Sequence, residues 1–332
     1  MHPIVWIPDV EGRDSLAVAL RAAQPPCSNP LTIDDVTALL GLGAAFAADR
    51  AGCARRWPLL ARDAAIHPAA ALLGLRLRDL HPPDAAVGLA SSAEYPGHFA
   101  DSYLPLIRRA LHAEQPVLCW GGFSQSPEPG EWGILFELRD EIPFGLTPGQ
   151  GETTVPLIGP AHQVYVIESR DAHDPCCAAP AERLACSAAA ACVFASSRIE
   201  ARHGICGTQA AYRVLIAGVE SGRPCPLCRE GEACAAAAVQ ALVQARRGQA
   251  RWLRQLSGHL GRADGELARH WAADAERVAD LLMPLTSAEG IARGAASPVE
   301  RSRIGQTLYS ASQIEARLTT TLAAPRAGAL TA

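Results

Sequence analysis

The 332-residue chain contains no lysine: all 30 of its basic residues are arginine. Together with abundant alanine, this marks a GC-rich coding sequence rather than an activity. The charge density that nucleic acid requires is also missing. Residues 1–172 carry 12 Arg against 20 acidic residues, and the remainder 18 Arg against 14. Neither half offers a dense basic stripe, and the first would repel a polyanion, so no nucleic-acid partner is expected. No stretch reaches the ~18 uninterrupted apolar residues of a membrane helix. The alanine-rich segment around Ala188–Ala195 is bounded by Arg183 and Arg198 and contains Ser187, Ser196 and Ser197. The opening Met1–Asp9 lacks both the charged start and the apolar run of an export signal. These absences predict a cytoplasmic chain with no membrane contact. Its 11 cysteines are then expected as thiols or metal ligands rather than as a disulfide framework. Internal repeats are absent too.

What is present is a globular composition, 49% apolar and 19% charged, on a chain long enough for two cores of ordinary domain size. Patterning changes once along it. Asp14 caps a helix bearing Leu16, Val18, Ala19 and Leu20, ended by Pro25-Pro26. Thr32 with Asp35 forms a capping-box-like start for Val36, Leu39 and Leu40, stopping at Gly41. Ser102 to Glu114 reads as a helix with Pro105 in its first turn. Strands follow at 116–120, 132–138 and 162–168, with a Pro/Gly-rich excursion from Pro143 to Pro160. The three strands are expected as neighbours in one antiparallel sheet, with helix 15–23 against it. After Asp174-Pro175 every signal is helical. Tyr212, Leu215, Ile216 and Val219 share one face, as do Val239, Leu242 and Val243, and Leu253, Leu256 and Leu260 continue that stripe. Leu267, Trp271, Val278, Leu282 and Leu285 repeat the pattern. Ser297-Pro298-Val299-Glu300 opens a last helix bearing Ile304, Leu308, Ala311, Ile314 and Leu318.

Gln115-Pro116-Val117-Leu118, Glu131-Trp132-Gly133-Ile134 and the helix start Gly12-Arg13-Asp14-Ser15-Leu16-Ala17 together resemble bacterial papain-like domains. Those domains include the double-glycine-leader (bacteriocin-processing) peptidases and the N-terminal domain of butirosin-type acyltransferases. Gly207-Thr208-Gln209-Ala210-Ala211-Tyr212 resembles a helix start in a bacterial group that adds a helical region to this domain. The resemblance implies an α+β fold: a papain-like domain with a small antiparallel sheet over residues 1–172, then an all-α helical bundle over 173–332. It also implies a nucleophile position at Ser15 and a base position at Glu131. A papain-like site needs a thiolate beside an imidazole. A carboxylate is a far weaker base than the alkoxide it would have to generate. The resemblance therefore implies a scaffold that no longer performs acyl chemistry. Cys27, with His162 as base, is the alternative pair, although Cys27 follows Pro25-Pro26 in a loop rather than opening a helix.

Cys225 and Cys228, in Pro-Cys-Pro-Leu-Cys, have the two-residue spacing of a zinc chelate, with Cys234 as a third thiol. Cys176, Cys177, Cys206 and His203 are candidates for the fourth ligand. No second Cys-x2-Cys completes the set, so a redox-labile pair and small buried residues stay as alternatives. Cys186 and Cys192 lie about 240° apart around one helix and read as core. Trp120 and Trp132, with Glu131, can wall a pocket for a cationic or sugar-like group, or simply fill a core. His98, His112, His259 and His270 show no ligand spacing, and Arg246, Arg247 and Arg251 read as a solvated helix face. Three functions follow. The first is a non-peptidase protein binding a small molecule or a protein partner near Ser15, Trp120 and Glu131, with the helical half covering the pocket or forming a homodimer. The second is a cysteine-dependent acyltransferase or amide hydrolase. The third is a metal- or redox-responsive protein.

Overall fold

The computed structural model describes residue 4 and residues 14–26, 30–46, 48–49, 63–80, 94–123, 131–170, 178–195, 205–222, 232–286 and 297–323. Over these the chain is α+β, and it divides into two compact units, residues 1–37 with 59–178 and residues 38–58 with 179–332.

In the first unit, helix α1 (Ser15–Ala23) starts where the sequence places a cap. Asp14 Oδ1 accepts from the backbone N–H groups of Leu16 at 3.0 Å and Ala17 at 3.2 Å, satisfying two donors that the first helical turn leaves open. Helix α2 (Ile33–Leu39) opens with a reciprocal box. The Thr32 N–H donates to Asp35 Oδ2 at 2.8 Å, and the Asp35 N–H donates to Thr32 Oγ1 at 3.1 Å.

Helix α3 (Asp63–Leu72) leads into strand β2 (Leu75–Asp79). The sheet also contains β3 (Val117–Trp120), β4 (Trp132–Arg139), β5 (Ile142–Leu146), β6 (Val155–Pro156) and β7 (Gln163–Arg170). Its order is β2-β7-β3-β4-β5-β6, antiparallel throughout. The three expected strands are therefore neighbours at its centre, and α1 packs on β4. The sheet is wider than the sequence pattern indicates. β5 and β6 run inside the Pro/Gly-rich stretch expected as an excursion.

The helix expected from Ser102 instead begins earlier. Helix α4 (Tyr95–His98) continues through a π turn, Phe99–Tyr103, into α5 (Leu104–His112). Pro105 thus lies within a continuous run. Proline has no N–H and crowds the carbonyl four residues back; the wider turn, in which the Leu104 N–H donates to the Phe99 carbonyl, gives the chain room there.

Both faces are buried at the centre of the sheet. Ile107, Ala110 and Leu111 of α5 cluster with Val117, Cys119, Leu135, Val164 and Val166 on one face. Strand alternation turns Leu118, Trp132, Ile134 and Tyr165 to the other, and these are 0–2% exposed.

The second unit contains β1 (Ala48–Asp49), paired with β8 (Ile205–Cys206), and the helices α6 (Pro180–Ala195), α7 (Thr208–Ser221), α8 (Glu232–Ser257), α9 (Arg262–Leu282) and α10 (Pro298–Ala323). α7 stops at Gly222, whose φ of 62° is left-handed. Two apolar clusters fill the unit. Tyr212, Val239, Leu242, Val243, Leu282 and Leu308 belong to one; Leu184, Ala250, Leu253, Leu256, Trp271 and Leu322 belong to the other.

Arg246 and Glu315 sit where α8 and α10 pass from the first cluster to the second. Arg246 Nε donates to Glu315 Oε1 at 2.5 Å, and Nη1 donates to the carbonyls of Gly43 and Ala45 at 2.8 and 3.0 Å. The Tyr212 hydroxyl also donates to Glu315 Oε1, at 3.2 Å. Arg246, expected on a solvated face, is 3% exposed; Arg251 is exposed as expected. Among the described residues no helix is long and apolar enough to cross a membrane.

Candidate functional site

Ser15, Trp120, Glu131, Trp132 and His162 gather at one end of the central strands of the first unit. Trp120 ends β3 and stands opposite Trp132, which begins β4, while Gln163, which begins β7, also pairs with Trp120. Antiparallel pairing with this register brings three strand ends to one rim of the sheet. The Trp132 N–H donates to Ser15 Oγ at 3.1 Å, seating the first turn of α1 beside the residue after Glu131. The Gly121 N–H donates to the Glu131 carbonyl, and the His162 N–H to the Trp120 carbonyl, both at 2.9 Å.

Each side chain is held by a different partner. Glu131 Oε1 accepts from the Gly149 N–H at 2.5 Å. A Cβ on Gly149 would stand 3.1 Å from Glu131 Oε2, a tight contact that the carboxylate would relieve by shifting a few tenths of an ångström. The His162 ring lies 5.3 Å from that of Tyr95, nearly parallel to it, and 5.1 Å from that of Trp120. Tyr95 is fixed in turn by its hydroxyl, which donates to the Ala161 carbonyl. Burial, and secondarily the nearby Tyr103 phenol, push its acidity to about 12, so it stays a neutral donor. The Trp132 ring is 1% exposed and stacks on Tyr165 at 6.0 Å. Among the described residues, no hydrogen bond joins Ser15 Oγ to the Glu131 carboxylate or to the His162 imidazole.

One titrating group in this corner came from the sequence only as a helix cap. Burial raises the Asp14 carboxyl from 3.8 to about 6, against the pull of the Ala17 and Leu16 N–H groups that hydrogen-bond its charged form. The described thiols offer no low-pKa nucleophile. Burial raises Cys119, raises Cys186 to about 11, and raises Cys192. Cys27, Cys225 and Cys228 lie outside the described residues, as do Cys176, Cys177 and His203, while Cys234 falls in the first turn of α8. Among the described residues, no group of three or more His, Cys, Asp or Glu is placed to hold a metal ion. Tyr95 was not singled out from the sequence, and neither was the Tyr212–Arg246–Glu315 layer. The stripe carried a signal for the latter: Arg246 lies seven residues after Val239 and three after Val243, on their face.

No protein-family model and no curated protein matches the chain.

Proposed function

We propose that the first unit is a papain-like scaffold without peptidase activity, binding a small molecule or a protein partner beside Ser15, Trp120 and Glu131. The observation that carries this reading is the Trp132 N–H to Ser15 Oγ hydrogen bond. It juxtaposes a helix N-terminus with the start of the strand that follows Glu131, the arrangement in which a papain-like site would hold its nucleophile and base. The residues there have the wrong chemistry for acyl transfer. A serine hydroxyl needs a base of imidazole strength, and the Glu131 carboxylate is engaged with the Gly149 backbone instead. Such a carboxylate, beside two tryptophans, suits recognition of a cationic or hydrogen-bonding group.

The alternative, an acyltransferase or amide hydrolase using Cys27, draws support from His162, which keeps an imidazole at the same rim. A thermal-shift screen of small cations on wild type, Ser15→Ala and Glu131→Gln separates the two, together with iodoacetamide labelling read by mass spectrometry. Binding reading: ligands shift wild type and Ser15→Ala, are lost in Glu131→Gln, and no thiol labels rapidly near neutral pH. Loss of binding in Ser15→Ala with Glu131→Gln intact, or rapid labelling of Cys27, would move the enzyme reading into first place.

A further inference from the structure

Between β5 and β6 the chain makes a tight turn, Pro148–Gln150, that packs on α1. The segment around it is bonded mostly to itself. It runs between two buried anchors, Thr147 (1% exposed) and Val155 (8%), while Gly149, Glu152 and Thr153 are exposed. The Gln150 N–H donates to the Thr147 carbonyl at 3.1 Å, Gly151 to Pro148 at 3.4 Å and Thr153 to Gln150 at 3.2 Å. Gly151 has a φ of 59° and a ψ of −128°, which strains any side-chain-bearing residue but not glycine. At the far end Thr154 Oγ1 accepts from Arg139 Nη2 at 3.2 Å. Among the described residues, the only hydrogen bond tying residues 148–153 to another segment is the one from the Gly149 N–H to Glu131 Oε1. An exposed segment with one outside tie opens at a far lower cost than the strands that flank it.

The turn also stands at the head of the Glu131 side chain. From the position a Cβ would take on Gly149, Oε2 is 3.1 Å away, Oε1 3.3 Å and the carboxyl carbon 3.6 Å. The oxygens are nearer than the carbon, so the carboxylate points at the turn rather than lying alongside it. A cationic group that pairs head-on with Glu131 therefore competes with the turn for the same two oxygens. We propose that residues 148–153 form a strap over the Glu131 carboxylate, latched by the Gly149 N–H, and that a cation binding Glu131 swings the strap away. The release rests on the function proposed above; the latch does not. Competition of this kind selects for charge. A neutral hydrogen-bonding molecule gains about as much as the backbone donor it displaces, whereas an ammonium or guanidinium group gains more.

Hydrogen exchange of the Gly149 amide in the full-length protein, followed by nuclear magnetic resonance, reads the latch. Glu131→Ala removes the acceptor and is expected to speed exchange at Gly149 at least about tenfold, with the amides of β4 at wild-type rates. Glu131→Gln keeps an uncharged acceptor and is expected to speed it about fivefold. Unchanged exchange at Gly149 in Glu131→Ala overturns the proposal. So does an acceleration that extends equally through β4, which is unfolding rather than unlatching. Should Glu131→Ala fail to fold, Glu131→Gln decides by the same criterion. Ethylammonium chloride, against sodium chloride at matched ionic strength, reads the release. Where it raises the melting temperature, it is expected to speed Gly149 exchange in the wild type at least about tenfold and to leave Glu131→Gln unaffected. A raised melting temperature with unchanged Gly149 exchange means that the cation binds without moving the strap, and it overturns the release. No melting-temperature shift with any small cation refutes the function proposed above instead, and the Glu131→Ala comparison still decides the latch.

Discussion

Replacing Arg246 by methionine should be among the most damaging single changes in the second unit, and the structure sets the size of the effect. The substitution preserves most of the side-chain volume and removes three hydrogen bonds at once, to Glu315 Oε1 and to the carbonyls of Gly43 and Ala45. It leaves the Glu315 side chain, 6% exposed, as a buried carboxylate with only the Tyr212 hydroxyl to accept from. Breaking a buried pair in this way costs about 3–5 kcal/mol, most of it the penalty on the charge left behind. Two buried carbonyls without donors place the expectation toward the upper end, about 4–5 kcal/mol. Glu315→Leu strands the guanidinium instead and should cost about 3–4 kcal/mol, because the two carbonyls still hold it. The double variant leaves no buried charge and should cost only about 1–3 kcal/mol, the residue of the unmatched carbonyls and the Tyr212 hydroxyl. The double-mutant cycle should therefore show a coupling of several kcal/mol. Urea unfolding followed by far-ultraviolet circular dichroism measures all three, with the emission of Trp252 and Trp271 reporting on the helical unit. Additive single effects, or an Arg246→Met cost below about 1 kcal/mol, would refute the reasoning, since neither is compatible with a desolvated ion pair.

Asp14 should make stability fall with rising pH. Its folded pKa of about 6 lies above the ordinary 3.8, so its contribution is fully present below about pH 4 and is lost as pH rises through about 6. The shift corresponds to at most about 3 kcal/mol, reduced to about 2 by partial exposure. Asp14→Asn, which can still cap the helix, should flatten thermal melts across that window, and an unchanged slope would contradict the burial argument. Ser15→Ala should cost about 1 kcal/mol through the lost acceptor for the Trp132 N–H, with no peptidase turnover before or after the change in a fluorogenic-peptide assay. Iodoacetamide should modify Cys192 and Cys186 slowly and Cys119 only after unfolding, because Cys119 is 0% exposed and its thiol is held protonated by burial; peptide mass spectrometry checks the order. Gly145→Ala should destabilise the pairing of β5 with β4 by more than ~1 kcal/mol in the same melts, since its Cβ would stand 2.1 Å from the Ile134 carbonyl oxygen.

Local signals were sufficient wherever the physics is local. The Asp14 cap, the Thr32–Asp35 box, the Ser297-Pro298 start of α10 and the periodic faces of α7, α8 and α9 are decided within a turn or two of chain, and the sequence alone determined them. It also determined the three central strands, because their apolar runs lie between clear breaks. The edge of the sheet was not legible in the same way. β5 contains Pro143 and Gly145, which oppose strand formation locally. It follows a two-residue turn, Asp140-Glu141, with φ of 49° and 64° and no glycine to announce it. Only pairing with β4 makes that segment a strand.

Tertiary structure alone decided which distant residues meet. Residues 38–49 count with the helical unit because Phe46 packs on Tyr212 at 5.0 Å, Arg246 holds the Gly43 and Ala45 carbonyls, and Ala48 pairs with Cys206. The candidate site depends on register in the same way. Ser15 reaches residue 132 across more than a hundred residues of chain, and His162 comes to Trp120 only because β7 inserts between β2 and β3. A 3.6-residue period tells which face of a helix is buried. It does not tell that an arginine on that face will find a glutamate from another helix in the interior, because that depends on burial and charge pairing between segments 69 residues apart.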